Sequence, residues 1–285
     1  MSYHFKRAAS IAEALALLQQ YGAAAMPVAG GTNFMPDFRS GRARPEVVVD
    51  IARLPLRYIR QDAGWVRIGA LTTVTDLLRQ SDLRQTVQVL ASAAQTFAGH
   101  LVRNRATVGG NLCDASPAAD LAPPLLALGA EVALAGPGGT ARRLPLAEFL
   151  AGVRKTARRT NELVTEIAFP ALPATARSSY FKFALREAMA ISVVSGAVVL
   201  EFDDEVCTGA RVALGAVAPT AVRAASVEAE LVGRRITDEV ATAAAAKVSA
   251  DIRPISDVRA TAEYRTWVAE AMVRRHILAA CAQRV

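Results

Sequence analysis

Val28-Ala29-Gly30-Gly31-Thr32-Asn33 and Thr107-Val108-Gly109-Gly110-Asn111-Leu112 are two versions of one local design. Each is a short apolar run that meets a glycine pair and ends in small polar residues. Glycine reaches φ > 0, and without a Cβ its backbone amides can approach an anion closely. One such turn says little. Two in one chain point to a clamp on a doubly charged group, such as the diphosphate of a dinucleotide. At this level NAD and FAD fit equally well.

The surrounding chain can build the core that such a clamp needs. It has 285 residues, 52% of them hydrophobic, which suits about two domains. A net charge of +7 raises the question of nucleic acid. The positive charge forms no single arm, however, and aromatic residues (6%) do not interleave with it, so no nucleic-acid partner is expected. The densest basic group is Arg154, Lys155, Arg158 and Arg159, with Arg274-Arg275 second. Solvated faces, or docking onto an acidic protein, explain these better. Cys113, Cys207 and Cys281 are odd in number, with no C-x-x-C, which argues against a disulfide framework, a metal site or a self-contained iron–sulfur cluster. No stretch is apolar enough to span a bilayer. Glu13, Gln19 and Gln20 interrupt the Ala/Leu-rich start, so it reads as a helix rather than a signal peptide, and a cytoplasmic location is expected.

The pattern predicts helix 10–21, opened by a Ser10/Glu13 capping box, then strands near 25–29 and 47–51 and a hairpin over 58–70. Helices follow at about 74–80 and 86–98, with an apolar helix near 118–129. Gly136 to Gly139 makes a turn between two strands, and a strand at 162–169 closes this half. Pro170 and Pro173 mark a linker. Three strands (179–186, 191–202, 208–217) and helices near 226–232, 237–250 and 260–282 complete the chain. In the last helix Tyr264, Trp267, Val268, Ala271, Met272 and Leu278 read as the core face. The mixture is α+β without regular βαβ alternation. Neither G-x-G-x-x-G after a strand nor G-x-x-x-x-G-K-[ST] is present, which disfavours a Rossmann domain and a P-loop.

Asp120 has two readings. Ser116-Pro117 is expected to open a helix whose first turn ends at Asp120, where the helix dipole favours a carboxylate with no ligand present. Alternatively, Asp120 accepts hydrogen bonds from a ribose or base edge, as acids do at other dinucleotide sites. His4, His100 and His276 have no Ser or Asp partner at motif spacing and read as surface or core residues. Cys113 reads as a small buried residue.

Together these blocks resemble a known family. Ala29-Gly30-Gly31-Thr32, Thr107 to Asn111 and Ala115-Ser116-Pro117-Ala118-Ala119-Asp120 are similar to the FAD-binding medium subunit of molybdenum hydroxylases, the xanthine dehydrogenase and carbon monoxide dehydrogenase family. Ile68 to Thr73, Arg154-Lys155-Thr156, Glu162 to Ile167, and Phe181-Lys182 with Arg186 and Ala190 to Val194 extend the match in family order over almost the whole chain.

The resemblance implies a vanillyl-alcohol-oxidase-like (PCMH-type) fold. FAD-binding subdomains at 1–56 and 57–172 would be followed by a C-terminal domain, 178–285, with a small antiparallel sheet and helices. It places Pro27, Val28, Ala29, Gly30, Gly31, Thr32, Asn33 and Phe34, with Thr107, Val108, Gly109, Gly110 and Asn111, around the diphosphate. Phe97, Asp120, Leu163 and Lys182 match further FAD-contacting positions. Read from the residues alone, Phe97 is one apolar face of its helix and Lys182 a solvated strand residue. A cation near the flavin would favour its reduced, anionic form. Ile191 stands where relatives often carry an aromatic residue. The implied function is an oxidoreductase subunit that carries electrons through FAD to an external acceptor. Its implied partners are a small subunit with [2Fe-2S] clusters and a large subunit with the molybdopterin cofactor, in a dimer of heterotrimers. No catalytic base and no metal ligand is expected of this chain. A stand-alone FAD-dependent oxidase or reductase of the same fold is the alternative. A binding protein that has lost FAD is a weaker one, because both glycine turns are intact.

Overall fold

Val47-Val48-Val49 is buried on both faces, and it is the centre of the first sheet. The computed structural model describes residues 3–80 and 87–283. Strands β1 (His4–Arg7), β2 (Ala25–Val28) and β3 (Val47–Asp50) form a parallel sheet in the order β1-β3-β2. Parallel strands covered on both sides read as apolar runs, as β3 does. Helix α1 (Ile11–Tyr21) connects β1 to β2 and buries Ala14, Leu15 and Leu18. Ser10 caps it as predicted, the Glu13 amide donating to Ser10 Oγ, but the reciprocal half of the capping box is displaced by one residue: the Glu13 carboxylate accepts from the Ala9 amide, not from that of Ser10. The short helix α2 (Phe34–Arg39) follows the first glycine turn and was not foreseen.

A five-stranded antiparallel sheet carries the second unit. It contains β4 (Ile59–Asp62), β5 (Trp65–Gly69), β6 (Glu131–Ala135), β7 (Ala141–Pro145) and β10 (Leu163–Pro170), in the order β4-β5-β10-β6-β7. A small ribbon, β8 (Leu150–Gly152) with β9 (Lys155–Thr156), stands at its margin. Helices α3 (Val74–Arg79), α4 (Gln88–Thr96), α5 (His100–Arg103), α6 (Val108–Asp114), α7 (Ala122–Ala127) and α8 (Leu146–Phe149) complete it. The predicted helix 86–98 is thus seen as Gln88–Thr96, and position 86 lies outside the described residues.

The helix predicted near 118–129 begins only at Ala122, with Pro123 and Pro124 in its first turn. Proline tolerates that position because the first amides of a helix have no intrahelical acceptor. Residues 116–121 form successive turns instead, closed by Ala119 N–H to Ser116 O and Ala122 N–H to Ala119 O. Asp120 therefore precedes the helix rather than ending its first turn.

The last unit is a four-stranded antiparallel sheet, β11 (Arg177–Ala184), β12 (Ser192–Asp203), β13 (Val206–Gly215) and β14 (Val222–Arg223). One side packs on α12 (Ala262–Cys281), the other on α4 and α7 of the preceding unit. Burial from both sides explains why β12 is apolar from Val193 to Leu200 save Ser195 and Gly196. Helix α9 (Ala225–Leu231) packs on β13, and α10 (Asp238–Ala245) and α11 (Val248–Asp251) pack on α9 and α12, so the helix predicted at 237–250 is two.

The expected core stripe of α12 is corrected. Trp267 is 74% exposed and Tyr264 41%. The buried stripe is Arg265, Val268, Ala269, Val273, Ile277 and Ala280. Arg265 is held there by bonds from its guanidinium to the carbonyls of Val193 and Ala216 and to Asp257 Oδ1. The 20-residue α12 has no window long and apolar enough to cross a membrane, and the same holds for every helix among the described residues.

Candidate cofactor site

The two glycine turns face one cleft of about 780 Å³, but they do different things there. In the first, Ala29 to Asn33 leaves β2 and enters α2 with Gly31 at φ +72°. Among the described residues, the amides of Gly30, Gly31, Thr32 and Asn33 donate to no backbone or side-chain acceptor. Consecutive free amides of this kind make an anion-binding concavity. Gly30 is obligatory for a packing reason as well. A Cβ there would collide with the Arg105 carbonyl, while Arg105 Nε donates to Gly30 O at 3.0 Å.

The second turn is the N-terminus of α6, with Thr107 as N-cap. Its amides are already engaged. Val108 N–H donates to Thr72 O, Gly109 N–H to Ala70 O, Gly110 N–H to Thr107 Oγ1 and Asn111 N–H to Thr107 O, at 2.9–3.0 Å. Gly109 is needed because a Cβ would sit 2.7 Å from the Ala70 Cβ. The Ile68 to Thr73 block thereby acquires a role: its backbone takes up the amides of the second turn and fixes it against the cleft. Val108 turns its side chain into the core, fully buried, whereas Thr107, Gly109, Gly110 and Asn111 line the cleft. Asn111 Oδ1 is buried with no partner among the described residues.

The other predicted positions converge on the same cleft. Pro27, Val28, Phe34, Phe97, Asp120 and Leu163 line it, and Lys182 stands directly behind Asp120. Lys182 is not the solvated strand residue that its sequence context suggests. Its side chain is 5% exposed, and Nζ donates to Asp120 Oδ2 at 2.7 Å and to the Thr96 carbonyl at 3.3 Å. Ser192 Oγ donates to the other carboxylate oxygen, Oδ1, at 3.1 Å. Burial pushes the Asp120 carboxyl above its ordinary range, and the charge and hydrogen bonds of Lys182 and Ser192 offset only part of that. The pair is close to net neutral, so Lys182 presents less free positive charge to the cleft than a lone cation would.

Sequence reading gave Ser192 no role, although it lies inside the matched block Ala190 to Val194. It also missed Ala70 and Leu71, two cleft-lining residues inside a matched block. Ile191 lines the cleft mouth and is 53% exposed. Cys113 is half-buried, packed against the core and lining the cleft wall. Burial lifts its thiol to about 11, so it stands there protonated. His276, expected to lack a Ser partner, has one from a neighbouring element: Nδ1 lies 2.7 Å from Ser179 Oγ.

These residues suit a dinucleotide. Free amides line one wall, two glycine positions admit no Cβ, and an unpaired amide oxygen and a charged pair stand further along. The family described as "FAD binding domain in molybdopterin dehydrogenase" matches residues 1–172, and "CO dehydrogenase flavoprotein C-terminal domain" matches 179–280. The chain is 36% identical over 282 residues to the carbon monoxide dehydrogenase medium chain of Hydrogenophaga pseudoflava, covering 99% of this chain and 97% of that one. It is 33% identical over 284 residues to a xanthine dehydrogenase FAD-binding subunit of Escherichia coli, with 99% and 96% covered. A solved carbon monoxide dehydrogenase from Hydrogenophaga pseudoflava, which lacks the Mo-pyranopterin moiety of its cofactor, superposes with a TM-score of 0.95 at 36% identity over 99% of this chain and 98% of that one. Quinoline 2-oxidoreductase from Pseudomonas putida 86 does so with 0.92 at 27% identity, over 98% and 97%.

The fold and cleft thus define an FAD-binding oxidoreductase subunit of α+β, PCMH-type architecture. The chain belongs to the FAD-binding medium subunits of molybdenum hydroxylases, the xanthine and carbon monoxide dehydrogenase family.

Proposed function

We propose that this subunit receives electrons from [2Fe-2S] clusters in a small partner subunit and delivers them, by way of FAD, to an external acceptor. In this reading the organic substrate is oxidised at a molybdopterin centre in a large partner subunit. The three chains form a dimer of heterotrimers, a heterohexamer, in the cytoplasm. The observation that carries the reading is the pairing of the two turns. Free amides from Gly30 to Asn33 face a second, backbone-locked turn across one cleft, in a chain matched by both family domains.

When bound, FAD supplies the exchange between one-electron and two-electron carriers. The chain supplies the rest. Gly30 to Phe34, preceded by Pro27, Val28 and Ala29, hold the diphosphate with backbone amides. Thr107, Gly109, Gly110 and Asn111 form the facing wall, with Val108 anchoring it from the core. Phe97 and Leu163 exclude water with apolar surface. Asp120, held by Lys182 and Ser192, offers a fixed carboxylate to polar groups of the cofactor.

Purification of the native complex tests this. The expected result is a yellow chain with stoichiometric FAD that copurifies with molybdenum-bearing and iron–sulfur-bearing subunits. Its flavin should bleach when substrate is added to the complex, and not when it is added to the isolated chain. A flavin-loaded chain that oxidises an organic substrate alone would establish the stand-alone enzyme instead. A chain that binds no FAD overturns both readings.

A further inference from the structure

Arg154 belongs to a block matched by the family pattern for which the cofactor site gives no role. Its backbone takes φ +54° at the turn between β8 and β9, and its amide donates to the Ala115 carbonyl at 2.9 Å. That anchoring aims the guanidinium along the edge of the cleft. There it reaches two carboxylates on different units. One arm donates to Asp37 Oδ2, on α2 behind the first glycine turn, at 2.5 Å. The other donates to Asp114 Oδ1, at the end of α6 behind the second turn, at 2.7 Å. Arg42 holds the remaining Asp37 oxygen through Nε and Nη2 at 2.9 and 2.7 Å. Asp37, Asp114, Arg42 and Arg154 all line the cleft. Burial raises the Asp37 carboxyl, but hydrogen bonds and charge from Arg42 and Arg154 outweigh it, so Asp37 is ionised well below neutral pH.

We infer that Arg154 is a clasp on the cofactor cleft: it ties the helix behind one glycine turn to the helix behind the other, and so sets the rate at which FAD leaves. The inference rests on the FAD-binding reading above. The carboxylates decide the character of the contact. Two acidic groups beside an anionic diphosphate repel it unless they serve another purpose, and here each fixes one end of a guanidinium. An arginine fits this task better than a lysine, because its planar fork reaches two acceptors at once. Arg154 is a positioning residue. Its partners are protein groups, and its effect is on retention.

The test is the release rate of FAD from the holocomplex, followed by the activity that released FAD restores to an excess apo-flavoprotein scavenger, at low and high salt. Arg154→Gln is expected to release FAD at least fivefold faster at low salt and to lose most of the salt dependence seen in the wild type. Arg154→Lys should fall between the two. Asp114→Ala is the decisive variant, because it removes the acceptor together with the charge. A clasp predicts faster release when one arm is cut, whereas a direct bond from Arg154 to the diphosphate predicts slower release once the repelling carboxylate is gone. Unchanged or slower release in Asp114→Ala overturns the inference, as does a release rate within twofold of wild type in Arg154→Gln. Thermal unfolding of the FAD-free proteins provides the control. Equal loss of stability with and without FAD in Arg154→Gln would also overturn it, by reducing the residue to a structural tie. Failure of the wild type to bind FAD defeats the functional reading itself and is seen before any variant is compared.

Discussion

Lys182 on β11 and Asp120 ahead of α7 meet across the seam between the FAD-binding half and the C-terminal domain, 2.7 Å apart, with side chains only 5% and 11% exposed. This bond ties the C-terminal sheet to the cleft, to which that domain contributes Met189, Ala190 and Ile191 from the loop between β11 and β12. Breaking a buried pair costs about 3–5 kcal/mol because it strands a charge, whereas replacing both partners by apolar groups costs much less. Lys182→Met should therefore destabilise the FAD-free protein by about 3 kcal/mol, and Asp120→Leu with Lys182→Met by less than either single change. Chemical denaturation of the four proteins in a double-mutant cycle checks this.

The glycines should differ sharply in what they tolerate. Gly30→Ala places a Cβ on the Arg105 carbonyl, and Gly109→Ala places one 2.7 Å from that of Ala70, so both should lose FAD affinity by roughly tenfold or more, or fail to fold. Gly31→Ala meets only side-chain atoms at ordinary contact distance, and its cost is the left-handed backbone, about 1–2 kcal/mol. Gly110→Val strikes Thr107 Oγ1 first and should disturb the cap of α6, at about 1 kcal/mol, before it disturbs the cofactor. Fluorescence titration with FAD, alongside melting curves, gives the ranking.

On α12, Trp267→Ala is expected to change stability by no more than about 0.5 kcal/mol, as at other exposed positions. Ile277→Ala, on the buried stripe, should cost about 2–5 kcal/mol. Urea unfolding of both variants distinguishes the observed face from the aromatic face that the sequence favours.

His276 packs against Phe181 and pairs with Ser179. Burial, and then the charge of Arg275, lower its pKa from 6.5 to about 4. The unfolded chain therefore takes up a proton near pH 6.5 that the folded chain refuses until about pH 4. The resulting stability is complete above pH 6.5 and declines as pH falls towards 4. His276→Gln should flatten that part of the curve. Melting temperatures of wild type and variant between pH 7 and pH 4 should diverge at the neutral end and converge at the acid end; a constant offset would refute the assignment.

The strand runs and their turns were legible because burial writes itself into periodicity: Val47-Val48-Val49 and Val193 to Leu200 read directly as covered strands. The cleft was legible as a set of blocks in a fixed order. What periodicity could not show was direction. Trp267 and Ile277 lie on one helix, and only the packing of α12 on β11 and β12 decides which turns inward. The polarity of Lys182 concealed its burial, since its counter-ion is 62 residues distant. The two glycine pairs looked equivalent, yet the acceptors at Ala70 and Thr72 that consume the second turn's amides belong to another strand's end. The helix expected to end its first turn at Asp120 was misplaced by the same kind of local rule, because Pro123 and Pro124 fix its start further on.

The seam also imposes an order on biosynthesis. Asp120 emerges from the ribosome well before Lys182 and Ser192, and α12, which backs the sheet that carries them, follows later still. Until Lys182 and Ser192 have been made, the Asp120 carboxylate lacks both of its side-chain partners. Every side-chain contact that holds the Asp120 carboxylate is thus supplied by residues at least 62 positions further along the chain.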